Sequence, residues 1–223
     1  MLIFPLGKRG TGGVPVATIF ICVACILVHV FATGMDDRIA LAFHPDQLDP
    51  LKMFTSVITH GDFWHLVGNL FFFYCFARTV ETQMSFVGYL LAFMVFVLVT
   101  NLAYAATATL PIPTLGLSGV VWGFMGIFLL RHPREYIECW VLFLGKVNVP
   151  AALFILGFLA FDIINYQSSE ALGVNYAAHF SGFAAGALFK VLFWNTFTED
   201  EAEAAPKRPA IGARFSHART PRR

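Results

Sequence analysis

Ser118 and His179 are the residues of this sequence that most directly suggest a reaction, since each lies inside a strongly apolar stretch. Strongly polar or ionisable side chains are costly in such surroundings, so each one is a candidate functional residue. A serine hydroxyl is a weak nucleophile until a base takes its proton, and a histidine within about 3 Å is the usual base. The two residues therefore predict nucleophilic catalysis by a Ser-His dyad.

Candidate donors to a negatively charged oxygen lie on another apolar stretch. His65 and Asn69 are four residues apart, so on a helix both side chains face the same side. Residues 110–116 contain two prolines and resist regular helix. We therefore expect the next helix to begin near Ser118, with unpaired backbone N–H groups at its start. These groups predict an oxyanion hole, in which each donor stabilises the transition state by about 3 to 4 kcal/mol.

Other site chemistries fit the sequence less well. Asp162 is the one carboxylate deep in the apolar stretches that could orient His179, and we interpret it as a structural residue. His60 and His65 could hold a metal ion, but the paired-histidine motif of metalloproteases is absent from the sequence. The Gly-x-Ser-x-Gly elbow of soluble hydrolases fails because Val120 replaces its second glycine. We expect no metal and no cofactor.

The composition requires lipid as the surroundings of most of the chain. Of the 223 residues, 57% are hydrophobic and 13% are charged, and the mean hydropathy is +0.68, which contradicts a soluble protein. A helix needs about 20 mostly apolar residues to cross a bilayer, and its backbone groups must be paired within the segment. The sequence predicts an all-α polytopic membrane protein with six transmembrane helices, over residues 14–33, 62–80, 86–109, 115–131, 148–166 and 174–194.

The basic residues predict how these helices are oriented, because Lys and Arg accumulate in cytoplasmic loops. With the amino terminus inside, thirteen of the 15 Lys and Arg residues lie on the inner side, and only Arg38 and Lys52 lie outside. Both termini are therefore expected in the cytoplasm. The net charge of +1 provides no basic surface of the kind that nucleic acid binds, so we expect no nucleic-acid partner.

The regions outside the predicted helices differ in character. Residues 1–198 are expected to form one membrane domain, followed by a disordered cytoplasmic tail over residues 199–223 that has too few apolar residues to bury a core. The outer loop 34–61 and the inner segment 132–147 carry apolar residues between charges. We predict that both rest in the membrane interface.

The polar residues of the predicted site lie at one depth. Ser118 and His65 are each 13 positions from an arginine at the inner end of their helix, Arg131 and Arg78 respectively. At a rise of about 1.5 Å per residue, both lie roughly 20 Å above the inner boundary of a core about 30 Å thick. His179 falls at a similar height on the last helix. The site is therefore expected about 10 Å below the outer surface.

Small residues recur at four-residue spacing on the two helices that carry the serine and the histidine. Such faces let helix backbones approach closely in a membrane. We expect these two helices to pack against each other through Gly119, Gly123 and Gly126 on one side and Ala178, Gly182 and Gly186 on the other.

Three motifs of this sequence resemble those of the rhomboid intramembrane serine proteases. In chain order they are a histidine followed by His-x-x-x-Asn in residues 60–69, Gly-x-Ser-Gly in residues 116–119, and Ala-His-x-x-Gly-x-x-x-Gly in residues 178–186. Glu81 also falls where the second helix of the family ends with a glutamate. The resemblance covers nearly the whole membrane domain. One departure is that the first outer loop lacks the Trp-Arg pair common in the family.

The resemblance implies a six-helix rhomboid-like bundle with a short, partly buried fourth helix. It makes Ser118 the nucleophile and His179 the base and then the acid. His65, Asn69 and the Ser118 backbone N–H become the oxyanion donors. Trp122 falls where the family places an aromatic ring against the catalytic histidine.

The resemblance also implies the partners and the location. The expected substrates are transmembrane segments of other proteins, cut near their outer end at small residues with helix-destabilising residues beyond. The expected location is the lipid bilayer of a bacterial inner membrane, which the chain crosses several times. A second hypothesis is a catalytically silent relative or a transporter-like protein that only binds transmembrane helices. A silent relative is expected to lack the serine or the histidine, and this chain keeps both.

Overall fold

The computed structural model of the protein describes residues 3–7, 13–141, 145–166 and 173–198. The tail predicted to be disordered, residues 199–223, lies outside the described residues. Within the described ranges the chain forms eight helices and three strands. They are β1 (Ile3–Gly7), α1 (Val16–Phe31), α2 (Met35–Leu41), α3 (Pro50–Ile58), α4 (Phe63–Glu81), α5 (Phe86–Thr107), α6 (Ser118–Arg131), β2 (Tyr136–Val141), β3 (Gly145–Pro150), α7 (Ala151–Asn165) and α8 (Tyr176–Phe197).

Each of the six predicted spans contains one helix, namely α1, α4, α5, α6, α7 and α8. The largest shifts are of about three residues, as where α7 begins at Ala151 and α8 continues to Phe197. By length and composition, α5 and α8 are long and apolar enough to cross a membrane, while α1, α6 and α7 are apolar but shorter. The fold is mostly helical, and the count of six spans stays a prediction.

The outer surface of the helices is apolar. Helix α1 buries only a narrow stripe of its surface and keeps most large side chains outside, with Phe20 72% exposed and Phe31 78% exposed. Helix α7 does the same, with Leu153 and Ile164 pointing outward. A monomeric soluble protein rarely exposes contiguous apolar patches of this kind. Lipid is therefore the medium that suits this surface.

Helix α6 lies at the centre of the fold. It has only 14 residues, and residues 119–128 are all buried. Helices α4, α5 and α8 pack around it, with α8 in the most extensive contact. The short, partly buried fourth helix that the resemblance implies is thus present and is buried over most of its length.

Glycines allow α6 and α8 to approach each other closely. A Cβ atom on Gly182 would overlap the backbone carbonyl oxygen of Gly119, and one on Gly186 would overlap that of Gly123. A Cβ atom on Gly126 would overlap the backbone of α8 in the same way. The predicted packing of the two small-residue faces is confirmed.

Glu81, the last residue of α4, holds the start of α1. Its carboxylate accepts hydrogen bonds from the backbone N–H groups of Ala17 and Thr18, each at 2.8 Å, and from the Thr18 hydroxyl at 2.6 Å. The first N–H groups of a helix have no partner within the helix, and a negative charge is favourable there. Helix α1 is thereby attached to the helix that carries the predicted oxyanion donors.

The prediction of an all-α fold is wrong at the start of the chain and between α6 and α7. The three strands form an antiparallel sheet in the order β1-β2-β3. Side chains alternate along β2, where Ile137 and Cys139 are buried while Tyr136 and Trp140 are exposed. This period of two is typical of a strand. The interfacial interpretation of residues 132–147 overlooked it.

The predicted outer loop 34–61 is folded into α2 and α3 and is fixed to the segment before α6. Phe43 is fully buried, and its backbone N–H and carbonyl each bond to Thr114 at 2.9 Å. The Gly116 N–H donates to the Ser56 carbonyl at 2.9 Å. These bonds pair the backbone of the irregular segment that delivers the chain to the start of α6.

The contact between α6 and α8 predicts a difference between two glycine substitutions. Gly186→Ala places a methyl group against the Gly123 carbonyl, so we expect it to lower the free energy of unfolding by about 1 to 3 kcal/mol. Gly157→Ala on α7 is the control, because no heavy atom lies within 4 Å of a Cβ there. Thermal unfolding in detergent micelles measures both. Equal unfolding temperatures for the two variants would contradict the close contact.

Candidate active site

Ser118 and His179 are in hydrogen-bond contact. Ser118 is the first residue of α6, and His179 lies in the first turn of α8. The His179 Nε2 atom is 2.8 Å from the Ser118 Oγ atom, within the normal range for such a bond. His179 is 8% exposed and Ser118 is half-buried. The predicted nucleophile and base are therefore positioned for proton transfer.

Asp162 is bonded to the other side of the His179 ring. Its Oδ2 atom lies 2.7 Å from His179 Nδ1, and the carboxylate is 6% exposed. The carboxylate that the sequence analysis interpreted as structural therefore lies in hydrogen-bond contact with the base of the predicted dyad. The apolar composition of α7 does not determine how the helix is rotated against α8, and that rotation decides which face of α7 meets the histidine.

Asn175 fixes the start of α8 and was not predicted. Its Oδ1 atom accepts a hydrogen bond from the Ala178 N–H at 3.0 Å, and its Nδ2 donates to the Thr114 hydroxyl at 3.1 Å. Asparagine is a favoured helix N-cap residue, which is the signal that could have identified it. The first turn of α8, which carries His179, is thereby joined to the segment before Ser118.

Gly116 allows the His65 ring to lie against the segment before α6. Its φ is +119°, a conformation that residues with a side chain rarely adopt. A Cβ atom there would lie 2.8 Å from His65 Cε1 and 2.8 Å from His65 Nε2. The glycine two residues before Ser118 therefore brings the imidazole of α4 next to the start of α6.

Asn69 and His65 line the same cavity as Ser118 and His179, and this cavity has a volume of about 570 Å³. Asn69 is 8% exposed, and its Nδ2 donates one hydrogen bond to the His65 carbonyl at 3.1 Å. The amide has a second N–H. The predicted oxyanion donors therefore share one cavity with the serine.

The start of α6 carries unpaired backbone donors. No side chain caps this helix among the described residues, and the first bond of its ladder runs from the Val121 N–H to the Leu117 carbonyl at 3.0 Å. The N–H groups of the first turn thus remain outside the ladder. Such groups favour a negative charge placed beside Ser118.

Two aromatic rings enclose His179. The Trp122 ring centroid is 6.0 Å from that of His179 at an interplanar angle of 37°, as the resemblance implies. The Tyr176 ring lies edge-on at 5.7 Å and 90°. Tyr176 was not predicted, although its spacing of three residues from His179 on one helix was a usable signal. The rings limit the movement of the imidazole.

His60 packs against His65 and is fully buried, with ring centroids 5.2 Å apart. Burial, with a smaller contribution from the neighbouring His65, lowers the pKa of His60 to about 3. The ring is therefore neutral at physiological pH. Among the described residues no group of three His, Cys, Asp or Glu side chains has the geometry of a metal site. His60 lies against the ring of a predicted oxyanion donor.

Comparisons with known proteins match the same region of the chain. A family model described as Rhomboid domain matches residues 47–196. The mitochondrial Rhomboid protein 1 of Saccharomyces cerevisiae is 28% identical over 145 residues, which is 59% of this chain and 42% of that protein. The rhomboid YdcA of Bacillus subtilis is 25% identical over 142 residues, which is 63% of this chain and 66% of that protein. The chain thus spans less than two thirds of the length of each of these relatives.

The contact between Gly116 and His65 predicts the effect of a single methyl group. Gly116→Ala strains the backbone, which costs about 1 to 3 kcal/mol, and pushes the His65 ring away. We expect the rate at which a fluorophosphonate probe labels Ser118 to fall about tenfold or more. Gly61→Ala is the control, because its Cβ would make only ordinary contacts of 3.7 Å with Leu115 and 3.9 Å with His65. Equal labelling rates for the two variants would show that the contact has no role.

Proposed function

The chain belongs to the rhomboid family, and on that premise we propose that it is an intramembrane serine endopeptidase acting through Ser118 and His179. Membership of this family implies intramembrane serine protease activity, that is, hydrolysis of peptide bonds. The observation that carries the finer proposal is the bond of 2.8 Å between His179 Nε2 and Ser118 Oγ. It lies in a cavity surrounded by helices with an apolar outer surface.

The proposed reaction begins with proton transfer from Ser118 to His179. As the serine Oγ forms a bond to the carbonyl carbon of the substrate, His179 Nε2 takes the hydroxyl proton. The same nitrogen then gives that proton to the leaving amine, and the peptide C–N bond breaks. Water, activated by His179, hydrolyses the acyl-enzyme and regenerates the serine. Water is the only co-reactant, so the proposed chemistry uses no metal or cofactor.

His65, Asn69 and the backbone N–H of Ser118 are the proposed oxyanion donors. The support is their common cavity, the uncapped start of α6 and the Gly116 contact that holds the His65 ring beside it. Donors fixed in advance stabilise the charge on the tetrahedral intermediate without reorganisation. In this arrangement one oxyanion donor is the backbone N–H of Ser118 itself. The distance between the serine hydroxyl and the oxyanion site therefore stays nearly constant.

The proposed surroundings of the site are a bilayer crossed by six helices, which belong to a membrane domain over residues 1–198. The six apolar helices at the predicted positions and their outward-facing apolar side chains support this. The distribution of Lys and Arg supports cytoplasmic termini. The family is membrane-embedded, and we propose the bacterial inner membrane as the location.

The proposed substrates are transmembrane segments of other membrane proteins. A serine about 10 Å below the outer surface is reached by a chain that already lies in the membrane. A helix hides its peptide bonds within its own hydrogen-bonded ladder, so the segment must unwind before attack. Small or helix-destabilising residues near the outer end of the substrate span lower the cost of unwinding.

Cleavage of a membrane reporter tests this function. A single-span protein with small residues at the outer end of its span, followed by glycine and proline, is expressed together with the enzyme. Ser118→Ala and His179→Ala are expected to lower cleavage by about 10³-fold or more, because each removes one partner of the proton transfer. Immunoblotting of the reporter fragments measures cleavage at matched enzyme levels.

Two matched controls separate chemistry from folding. Ser181→Ala removes a serine hydroxyl of α8 that bonds only to the Ala178 carbonyl among the described residues. His132→Ala removes a histidine that bonds to Gln83 far from the cavity. Both variants are expected to cleave at the wild-type rate. Cleavage that persists in Ser118→Ala or in His179→Ala would exclude the dyad.

A further inference from the structure

We propose that Asp162 is a positioning residue for His179, so that the site works as a linear Asp162-His179-Ser118 relay. This inference rests on the proposed function. The arrangement joins three helices, since the carboxylate comes from α7, the imidazole from α8 and the hydroxyl from α6. It also adds a third member to the Ser-His pair predicted from the sequence.

The two nitrogens of the His179 ring have different partners. Nδ1 lies 2.7 Å from Asp162 Oδ2, and Nε2 lies 2.8 Å from Ser118 Oγ. An ionised carboxylate can only accept hydrogen bonds, so Nδ1 must carry the proton of the neutral ring. The lone pair of Nε2 then faces the serine hydroxyl. Asp162 thereby selects the one tautomer of His179 that can act as a base.

The burial of Asp162 supports a role that involves charge. An ionised carboxylate inside an apolar fold is costly unless it is paired. Asp162 is 6% exposed, and among the described residues the group that can form an ion pair with it is the His179 ring, once that ring is protonated. When Nε2 takes the serine proton, the ring becomes positively charged next to this carboxylate. The attraction is strong in an environment of low dielectric constant, so it favours the proton transfer.

The proton balance keeps Asp162 ionised throughout. The serine proton moves to Nε2 while Nδ1 keeps its own proton and donates it in a hydrogen bond to Oδ2. The proton on Nε2 then leaves with the amine. No net proton reaches the carboxylate, so Asp162 touches only the histidine and acts through it.

A purely structural alternative makes a different prediction. In that case the bond only joins α7 to α8, which contact each other at few other points. Asp162→Asn has nearly the same shape as the wild-type residue and still bonds to Nδ1, so it would leave activity close to wild type. In the relay, the asparagine amide donates to Nδ1 and shifts the ring proton to Nε2, where it blocks acceptance of the serine proton.

The test compares kcat and KM of Asp162→Asn with those of the wild type on the reporter in detergent micelles. We expect kcat to fall about 10² to 10⁴-fold with KM within about twofold, because the substrate does not touch Asp162. Asn165→Ala is the control on the same helix, where the side chain bonds only to the Phe161 carbonyl among the described residues, and its kcat should equal that of the wild type. A kcat within threefold of wild type for Asp162→Asn would overturn the proposal.

A second measurement, on the wild-type enzyme, tests the proposal even if the Asp162→Asn variant fails to fold. With ¹⁵N-labelled histidine, the nitrogen shifts of His179 report its tautomer at neutral pH, and the signal is assigned by its loss in His179→Ala. A proton on Nδ1 supports the relay, and a proton on Nε2 overturns it. Failure of the wild type to cleave any reporter would count against the proposed function, whereas retained cleavage in Asp162→Asn would count against the relay alone.

Discussion

The close approach of the α6 and α8 backbones is the constraint on which the site depends. Carbonyl oxygens of Gly119 and Gly123 lie where Cβ atoms of Gly182 and Gly186 would be. In apolar surroundings the hydrophobic effect contributes little to helix association, so close packing of small residues must hold the helices together. This contact leads directly to the first turns of both helices, where Ser118 and His179 meet at 2.8 Å. A larger residue on either face would separate the base from the nucleophile.

The polar groups of the site persist in an apolar fold because nearly every one is tied to a neighbour. His179 bonds at both ring nitrogens, Asn175 bonds to α8 and to Thr114, and Asn69 bonds along α4. An unpaired buried polar group costs about 1 to 3 kcal/mol, so these bonds reduce the penalty of placing such groups at this depth. The N–H groups at the start of α6 lie outside the helix ladder, and no side chain caps them among the described residues. In the proposed mechanism these are the groups that the reaction uses.

Much of the site could be predicted from the sequence, because residue type and helical spacing determine it. Ser118 and His179 each stood one residue from a small-residue face, and the apolar stretches gave the helix positions to within about three residues. Asn175 was missed because its role depends on where α8 begins. Asp162 was interpreted as structural because its contact with His179 depends on the rotation of α7, which apolar composition leaves open. The sheet was missed because a short alternating strand beside long apolar runs gives a weak signal. Helices α2 and α3 were missed because they are stabilised by contacts with the segment before α6, which is distant from them in sequence.

The position of the cut bond tests most directly whether Ser118 and His179 act inside the membrane. The purified protein and a single-span reporter are reconstituted together in liposomes, and the masses of both fragments identify the bond. If the serine lies about 10 Å below the outer surface, the cut falls within the outer third of the reporter span and is lost in Ser118→Ala. A cut confined to the water-exposed part of the reporter, or one that Ser118→Ala still makes, would contradict intramembrane catalysis by this pair.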